Sequence, residues 1–353
     1  MVGDTGIEPV TPSMSTKCST AELIARYETR DAGSSRAIRQ VYNRHPCTLQ
    51  GLLEPLEPVY SSCKFREYVV NAYHLQMPDV RTTSVVFASP HSGRTYPRSF
   101  VRQSVLDERT LRSSEDAFVD QLFAAAPREG APLLSAVAPR AWIDVNRALD
   151  ELDPALIEGV KKIAHNPRVA SGLGVVPRVV ANGRAIYRGK LARREADQRI
   201  DEIWRPWHDA IVTLMNDSAS LFGDAILIDC HSMPHEAIES VSHPQGARPE
   251  VVLGDRFGAA ASSEVVDRIE AAFGAVGLRV ARNAPFAGAF VTQNYGRPAN
   301  NRHVVQIEID RSLYMNEQAV RPNNNFEAFR KLIDRVVADV VQIGRSDLRM
   351  AAE

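Results

Sequence analysis

From Thr82 onward the sequence alternates short apolar runs with amphipathic stretches, and no other feature narrows the choice of fold as much. The runs Ser84 to Ser89 (SVVFAS), Leu133 to Ala138 (LLSAVA), Ala225 to Cys230 (AILIDC), Val251 to Gly254, Leu278 to Ala281 and Val304 to Ile309 (VVQIEI) have the length and composition of strands. Between them, Asp116 to Ala126, Leu191 to Ala219, Ser262 to Phe273 and Phe326 to Ile343 carry apolar residues at helical spacing. The pattern predicts an α/β fold: a mixed, mainly parallel central sheet flanked by helices.

Residues 1–76 are different material, mixing Pro, Ser, Thr, Arg and Cys with little sustained apolar period, although Ala21 to Tyr27 and Ile38 to Tyr42 have the spacing for short helical turns. We expect a poorly patterned extension over 1–76, a catalytic domain over 77–345 and a short tail over 346–353. The opening GDTGIEPVTPSMSTKCSTAELIAR is similar to a segment found before unrelated bacterial proteins, which implies a start assigned too early and Met77 as the true one. The alternative is a genuine accessory arm.

Charge and hydropathy exclude several classes of partner. The 42 basic residues nearly cancel the 43 acidic ones, so no overall field favours nucleic acid or an anionic membrane. The longest apolar runs fall far short of the roughly 20 residues of a spanning helix. The first residues carry Asp4, Glu8 and prolines without an apolar h-region, which does not read as a secretory signal, and a cytoplasmic protein is expected. Cys18, Cys47, Cys63 and Cys230 form no C-x-x-C pair, which argues against a zinc ribbon or a disulfide scaffold; Cys230 reads as a buried small hydrophobe. Oligomeric state is not legible in this chain.

Polar clusters sit where strands should end, and in an open α/β sheet ligands bind at the carboxyl ends of strands. SVVFAS runs into Pro90-His91-Ser92-Gly93 and AILID into Cys230-His231-Ser232, so two strands each deliver a histidine into a turn that needs none for its geometry. Two histidines and a carboxylate are a frequent zinc ligand set, whereas a lone histidine in such a loop more often hydrogen-bonds backbone. The carboxylate is sought in Ser113-Ser114-Glu115-Asp116, where helix capping is an equally good reading. Asp144-Val145-Asn146-Arg147 offers an amide beside a guanidinium suited to bidentate capture of a carboxylate, against the alternative of an ion pair from Arg147 to Asp150 or Glu151. In Gln306-Ile307-Glu308-Ile309-Asp310, strand alternation sets Gln306, Glu308 and Asp310 on one face and Val305, Ile307 and Ile309 on the other. An acid inside an apolar strand is costly unless paired, so Glu308 has either a chemical role or a partner among Arg297, Arg302 and Arg311.

Taken in order, PHSG, the SED cluster before FVDQLF, DVNR, IYRGKL, DCHSMP, VVLGDRFG and QIEIDRSLYM resemble the N-formylglutamate amidohydrolase family over about Val85 to Tyr314. The resemblance implies a zinc-carboxypeptidase/aspartoacylase-like fold and one Zn2+ per chain, although nickel, cobalt or iron would accept the same ligands. It further implies hydrolysis of the amide bond of a small N-acyl amino acid: N-formyl-L-glutamate to formate and L-glutamate, a step of histidine degradation. By position, His91 and His231 resemble the histidine ligands, Asp116 the acidic ligand with Glu115 in reserve, Asn146 and Arg147 the carboxylate-binding pair, and Glu308 the general base. Arg178, Tyr187 and Arg188 lie in family-like stretches, and Arg178 and Tyr187 are expected to bind substrate. One departure is that the aspartoacylase pattern places its acidic ligand three residues after the first histidine, where this chain has Arg94. The alternatives are a non-catalytic metal- or carboxylate-binding protein retaining the fold, and a deacylase of another N-acyl amino acid.

Overall fold

The VVFAS run forms a strand whose five residues are all buried, near the middle of an eight-stranded sheet. The computed structural model describes residues 65–69, 72–161, 166–180, 183–239 and 248–345. The strands are β1 (Phe65–Val69), β2 (Tyr73–Pro78), β3 (Val85–Ser89), β4 (Leu133–Ala136), β5 (Ala225–Met233), β6 (Val251–Gly254), β7 (Val280–Arg282) and β8 (Arg302–Asp310). Their order across the sheet is β1-β2-β4-β3-β5-β8-β6-β7. The central β4, β3, β5 and β8 run parallel, while β2 and β6 join them antiparallel, so the sheet is mixed with a parallel centre, as expected. A strand buried on both faces needs a continuous apolar run rather than alternation, which is how β3 reads.

The helices are α1 (Arg98–Gln103), α2 (Glu108–Leu111), α3 (Val119–Leu122), α4 (Pro167–Ala170), α5 (Arg193–Arg199), α6 (Arg205–Phe222), α7 (Ser263–Ala275), α8 (Phe290–Tyr295) and α9 (Phe326–Val341). α7 and α9 cover one face; Phe329, Ile333, Val336, Val337 and Val340 of α9, at helical spacing, pack with Phe87, Ile228 and Ile307. α5 and α6, joined through a π-helical turn at Ile200–Trp204, cover the other face with Trp207, Ile211 and Leu214 against Val86, Leu227 and Val304. No described helix is long and apolar enough to cross a membrane.

The sheet begins ahead of Met77, which moves the domain start expected there. Tyr73 to Gln76 of β2 pair with Leu133 to Ala136 of β4, and β1 pairs with β2 in turn. The signal was the alternation Tyr73-Leu75-Met77, whose first two members are buried and whose third packs against the same core cluster. The short helical turns expected at 21–27 and 38–42, the tail 346–353, and Cys18, Cys47 and Cys63 lie outside the described residues. Cys230 is a free, fully buried thiol packed in the core.

The connection order places the site. From β3 the chain goes to β4 on one side and then returns to β5 on the other, so the crevice between the ends of β3 and β5 is a topological switch point. His91 follows the end of β3, and β5 carries His231.

Candidate active site

Two loops and strand β5 converge at that crevice. His91-Ser92-Gly93 leaves β3 and passes so close to the Ala138 carbonyl that a Cβ on Gly93 would overlap its oxygen, which accounts for a glycine there. The Asp116 amide donates to the His91 carbonyl oxygen at 2.9 Å, tying the second loop to the first. The helix expected from Asp116 does not start there: Phe118 takes a left-handed conformation, φ 68°, and α3 begins only at Val119, with Phe118 rather than Asp116 in the cap position. Asp116 is therefore free of capping duty, and its carboxylate is taken by imidazoles.

His91 Nδ1 lies 3.3 Å and His231 Nδ1 2.8 Å from the same Asp116 Oδ2, with all three residues buried. One donor atom from each can be chosen so that all lie within 4.8 Å of one another, the spacing of a three-ligand metal site. The outer nitrogens are also held: His91 Nε2 is 2.7 Å from Asp144 Oδ1, and His231 Nε2 is 3.1 Å from Asp229 Oδ2. With a metal ion at the centre, a carboxylate behind each ring would take its Nε2–H and leave the Nδ1 lone pair to the ion. Burial opposes charge on His231, but Asp229 and Asp116 outweigh it and hold the imidazole well above its usual range. Burial likewise raises Asp116, and the two imidazoles override it and hold the carboxyl well below the usual range. The centre thus attracts positive charge, as a proton on an imidazole or as a metal ion, and the donor set fits a metal ion.

Glu115, the reserve ligand, points elsewhere, accepting from Arg112 Nε at 3.0 Å and Tyr96 Oη at 2.8 Å. Arg94, at the position where the aspartoacylase pattern has its acid, pairs with Asp120 at 3.0 Å.

His231 lies within β5 rather than in a turn after it, because the ladder with β8 continues through Met233↔Asp310. The register sets His231 directly beside Glu308, and paired residues of a parallel ladder project from the same face. Glu308 is 8% exposed, and its Oε1 accepts from Gln306 Nε2 at 2.8 Å. Among the described residues none of the three arginines considered as partners pairs with it: Arg311 donates to Asp116, Arg302 to Asn216, and Arg297 to backbone carbonyls. Burial, reinforced by the Asp116 charge, pushes Glu308 up to about 7 against the pull of His231, Arg140 and Arg311.

A cavity of about 550 Å³ opens over this cluster, within the range of small-molecule sites. His91, Asp116, His231, Glu308, Asn146 and Arg147 all line it.

The sequence profile of the family described as N-formylglutamate amidohydrolase matches residues 83–315. The chain belongs to the N-formylglutamate amidohydrolase family. An N-formylglutamate amidohydrolase from Ralstonia eutropha JMP134, known from its crystal structure, is 34% identical with a TM-score of 0.73, covering 78% of this chain and 99% of its own. An N-formylglutamate deformylase of Pseudomonas aeruginosa is 28% identical over 268 residues, 74% of this chain and 94% of its own. One from Pseudomonas putida is 28% identical over 240 residues, 66% and 82% respectively. A gene product of Agrobacterium tumefaciens shares the fold at a TM-score of 0.53 and 16% identity.

Within this N-formylglutamate amidohydrolase domain, Asn146 is largely committed to the scaffold. Its Oδ1 accepts the Val291 amide at 2.8 Å, and its Nδ2 donates to Asp229 Oδ2 at 3.1 Å. Arg147 is nearly buried and donates to the carbonyl oxygens of Leu173 at 3.0 Å and Asn146 at 2.8 Å. The ion pair with Glu151 considered from sequence is present, with Nε 3.8 Å from Glu151 Oε2 and 3.9 Å from Asp144 Oδ2, both too long for a hydrogen bond. Arg178 and Tyr187, expected in the substrate site, are placed elsewhere. Arg178 Nε donates to Asp153 at 2.8 Å, and Tyr187 is buried against Phe100 with its hydroxyl accepting from Arg199 at 2.9 Å. Neither lines the cavity.

Sequence reasoning gave no site role to Arg140, Asp144, Asp229, Arg168 or His208, and offered Arg311 only as a partner for Glu308. Arg140 and Asp144 pair at 3.0 Å beside His91, and Arg311 joins Ser232 to Asp116. Arg168 of α4 lines the cavity. His208 of α6 supports the Asn146 segment: its Nε2 meets the Val145 carbonyl at 2.8 Å and its Nδ1 the Tyr295 hydroxyl at 2.7 Å, while Trp204 Nε1 donates to the Arg147 carbonyl at 2.9 Å. The backbone on both sides of Asn146 is thereby pinned to the helix layer. The only signal in the sequence was the aromatic content of Trp204, Trp207, Phe290 and Tyr295, which reads equally as core.

Proposed function

We propose that this protein is a zinc-dependent, cytoplasmic amidohydrolase that cleaves N-formyl-L-glutamate to formate and L-glutamate. The observation that carries the reading is the convergence of His91, Asp116 and His231 with Glu308 in register beside them, at the floor of one cavity. The relatives bearing the name N-formylglutamate deformylase supply the substrate.

His91, Asp116 and His231 would hold the metal ion, with Asp144 and Asp229 fixing the imidazoles from behind. When bound, such an ion supplies Lewis acidity to the scissile carbonyl and lowers the pKa of water. Glu308 takes the proton of the attacking water and passes it to the leaving nitrogen, a transfer for which a carboxylate with a pKa near neutrality is well matched. Arg147, backed by two carbonyl contacts, holds its guanidinium ready for the carboxylate of the substrate.

The test is formate release from N-formyl-L-glutamate by the zinc-loaded protein and by Glu308→Gln. The variant should keep its metal and lose turnover about 100- to 10,000-fold, since the amide is nearly isosteric but cannot take a proton. Tight zinc binding with no turnover of any N-acyl amino acid would instead identify a binding protein, and turnover confined to longer acyl groups would identify a different deacylase.

A further inference from the structure

The charges lining the cavity do not balance. Arg311 Nη2 is matched by Asp116 Oδ1 at 2.8 Å, and Arg140 Nε by Asp144 Oδ2 at 3.0 Å. Arg147 meets carboxylates only at the outer edge of ion-pair distance, and Arg168 has no ion pair among the described residues. The hydrogen-bond acceptors of Arg147 are neutral carbonyls, and its nearest carboxylate oxygens stand at 3.8 and 3.9 Å. Arg168 is exposed beside the cavity, and among the described residues its guanidinium makes no hydrogen bond or ion pair. Burial lowers the pKa of Arg147 and Arg140 and Arg168 add their repulsion, against the opposing pull of Asp144 and Glu151. An unpaired arginine on an open surface would only be solvated, but this one adds to the positive potential of a concave site that already holds a buried guanidinium hydrogen-bonded only to neutral carbonyls. Four arginines and three carboxylates, Asp116, Asp144 and Glu308, line the cavity, and Arg147 and Arg168 are the two guanidiniums among them without a hydrogen bond to a carboxylate, which fits a ligand bearing two carboxylates.

We propose that Arg168 receives the side-chain carboxylate of a dicarboxylic N-formyl amino acid, with Arg147 taking the α-carboxylate; the assignment rests on the reading of the site as an N-formylglutamate hydrolase. The order follows from position. Asn146 Nδ2 lies 3.0 Å from His231 Nε2, so Arg147 stands next to the residue that touches the metal-type cluster, whereas Arg168 belongs to the rim. In N-formylglutamate the α-carboxylate sits on the carbon that bears the scissile nitrogen, and the other carboxylate lies two methylenes further out. A site built this way selects glutamate over glutamine by charge alone, because the two side chains differ little in shape.

The experiment compares kcat/KM of the zinc-loaded wild type, Arg168→Gln and Arg147→Ala on N-formyl-L-glutamate and N-formyl-L-glutamine. The wild type should prefer glutamate, and Arg168→Gln should reduce that preference about tenfold, mainly through KM, the lower end for a charge-assisted contact because the residue is exposed. Arg147→Ala should lower kcat/KM on both substrates in similar proportion. If Arg168→Gln slows both substrates equally, or leaves the preference intact, the subsite is overturned while the hydrolase reading stands. A wild type that turns over neither substrate overturns the hydrolase reading, and the subsite with it.

Discussion

Replacing His208 by glutamine should flatten the acid side of the stability profile. His208 is buried within the aromatic group of Trp204, Phe290 and Tyr295, and burial lowers its pKa from 6.5 to about 3 against the opposing pull of the Val145 carbonyl. It is therefore neutral in the folded protein throughout the mildly acidic range, with Nε2–H donating to Val145 and Nδ1 accepting from Tyr295. The unfolded chain binds a proton below about pH 6.5, while the folded one does not until about pH 3, so the unfolded state is favoured progressively as pH falls through that window. Each pH unit within it costs the folded state about 1.4 kcal/mol. From about pH 7 to about pH 5, His208 alone should remove about 2 kcal/mol of stability. Glutamine offers a donor to Val145 and an acceptor to Tyr295 but does not titrate, so the loss between the two pH values should be smaller in His208→Gln by about 2 kcal/mol. Urea unfolding of both proteins at both pH values measures the difference of differences, in which every other titrating group cancels. If the two proteins lose stability in parallel, the neutral buried imidazole is not what the structure holds against Val145.

Other consequences concern the metal site. His91→Ala, His231→Ala and Asp116→Ala should each lose most of the bound zinc, because two remaining donors compete poorly with water, whereas Glu115→Ala should keep it. Metal analysis of the purified variants decides this, and equal losses at Glu115 and Asp116 would contradict the geometry. Asp144→Asn and Asp229→Asn should weaken zinc affinity about 10- to 100-fold by releasing the outer nitrogen of each imidazole. Titration against a chelating dye measures that affinity, and wild-type values in both variants would leave the two acids with no orienting role.

The amino-acid sequence by itself determined the strands of the sheet centre and the helices α7 and α9, and it singled out the two histidines and Glu308, although His231 and Glu308 lie inside their strands rather than after them. Each of these is a local property. A run such as VVFAS or the alternation in VVQIEI states its period and burial within a few residues, and a polar residue that interrupts such a run is conspicuous where it stands. The tertiary structure decided what depends on partners far apart in the chain. Asp116 and Glu115 are neighbours that the pattern could not separate. Only the turn at Phe118 and the arrival of His231, 115 residues later, send one carboxylate to the imidazoles and the other to Arg112 and Tyr96. Asp144 stands behind His91 across 53 residues, and His208 reaches Val145 across 63. The same holds for the arginines: Arg178 turns to Asp153 while Arg168 lines the cavity. A side chain's chemistry is written at its own position, but the direction it faces is set by the backbone packed around it.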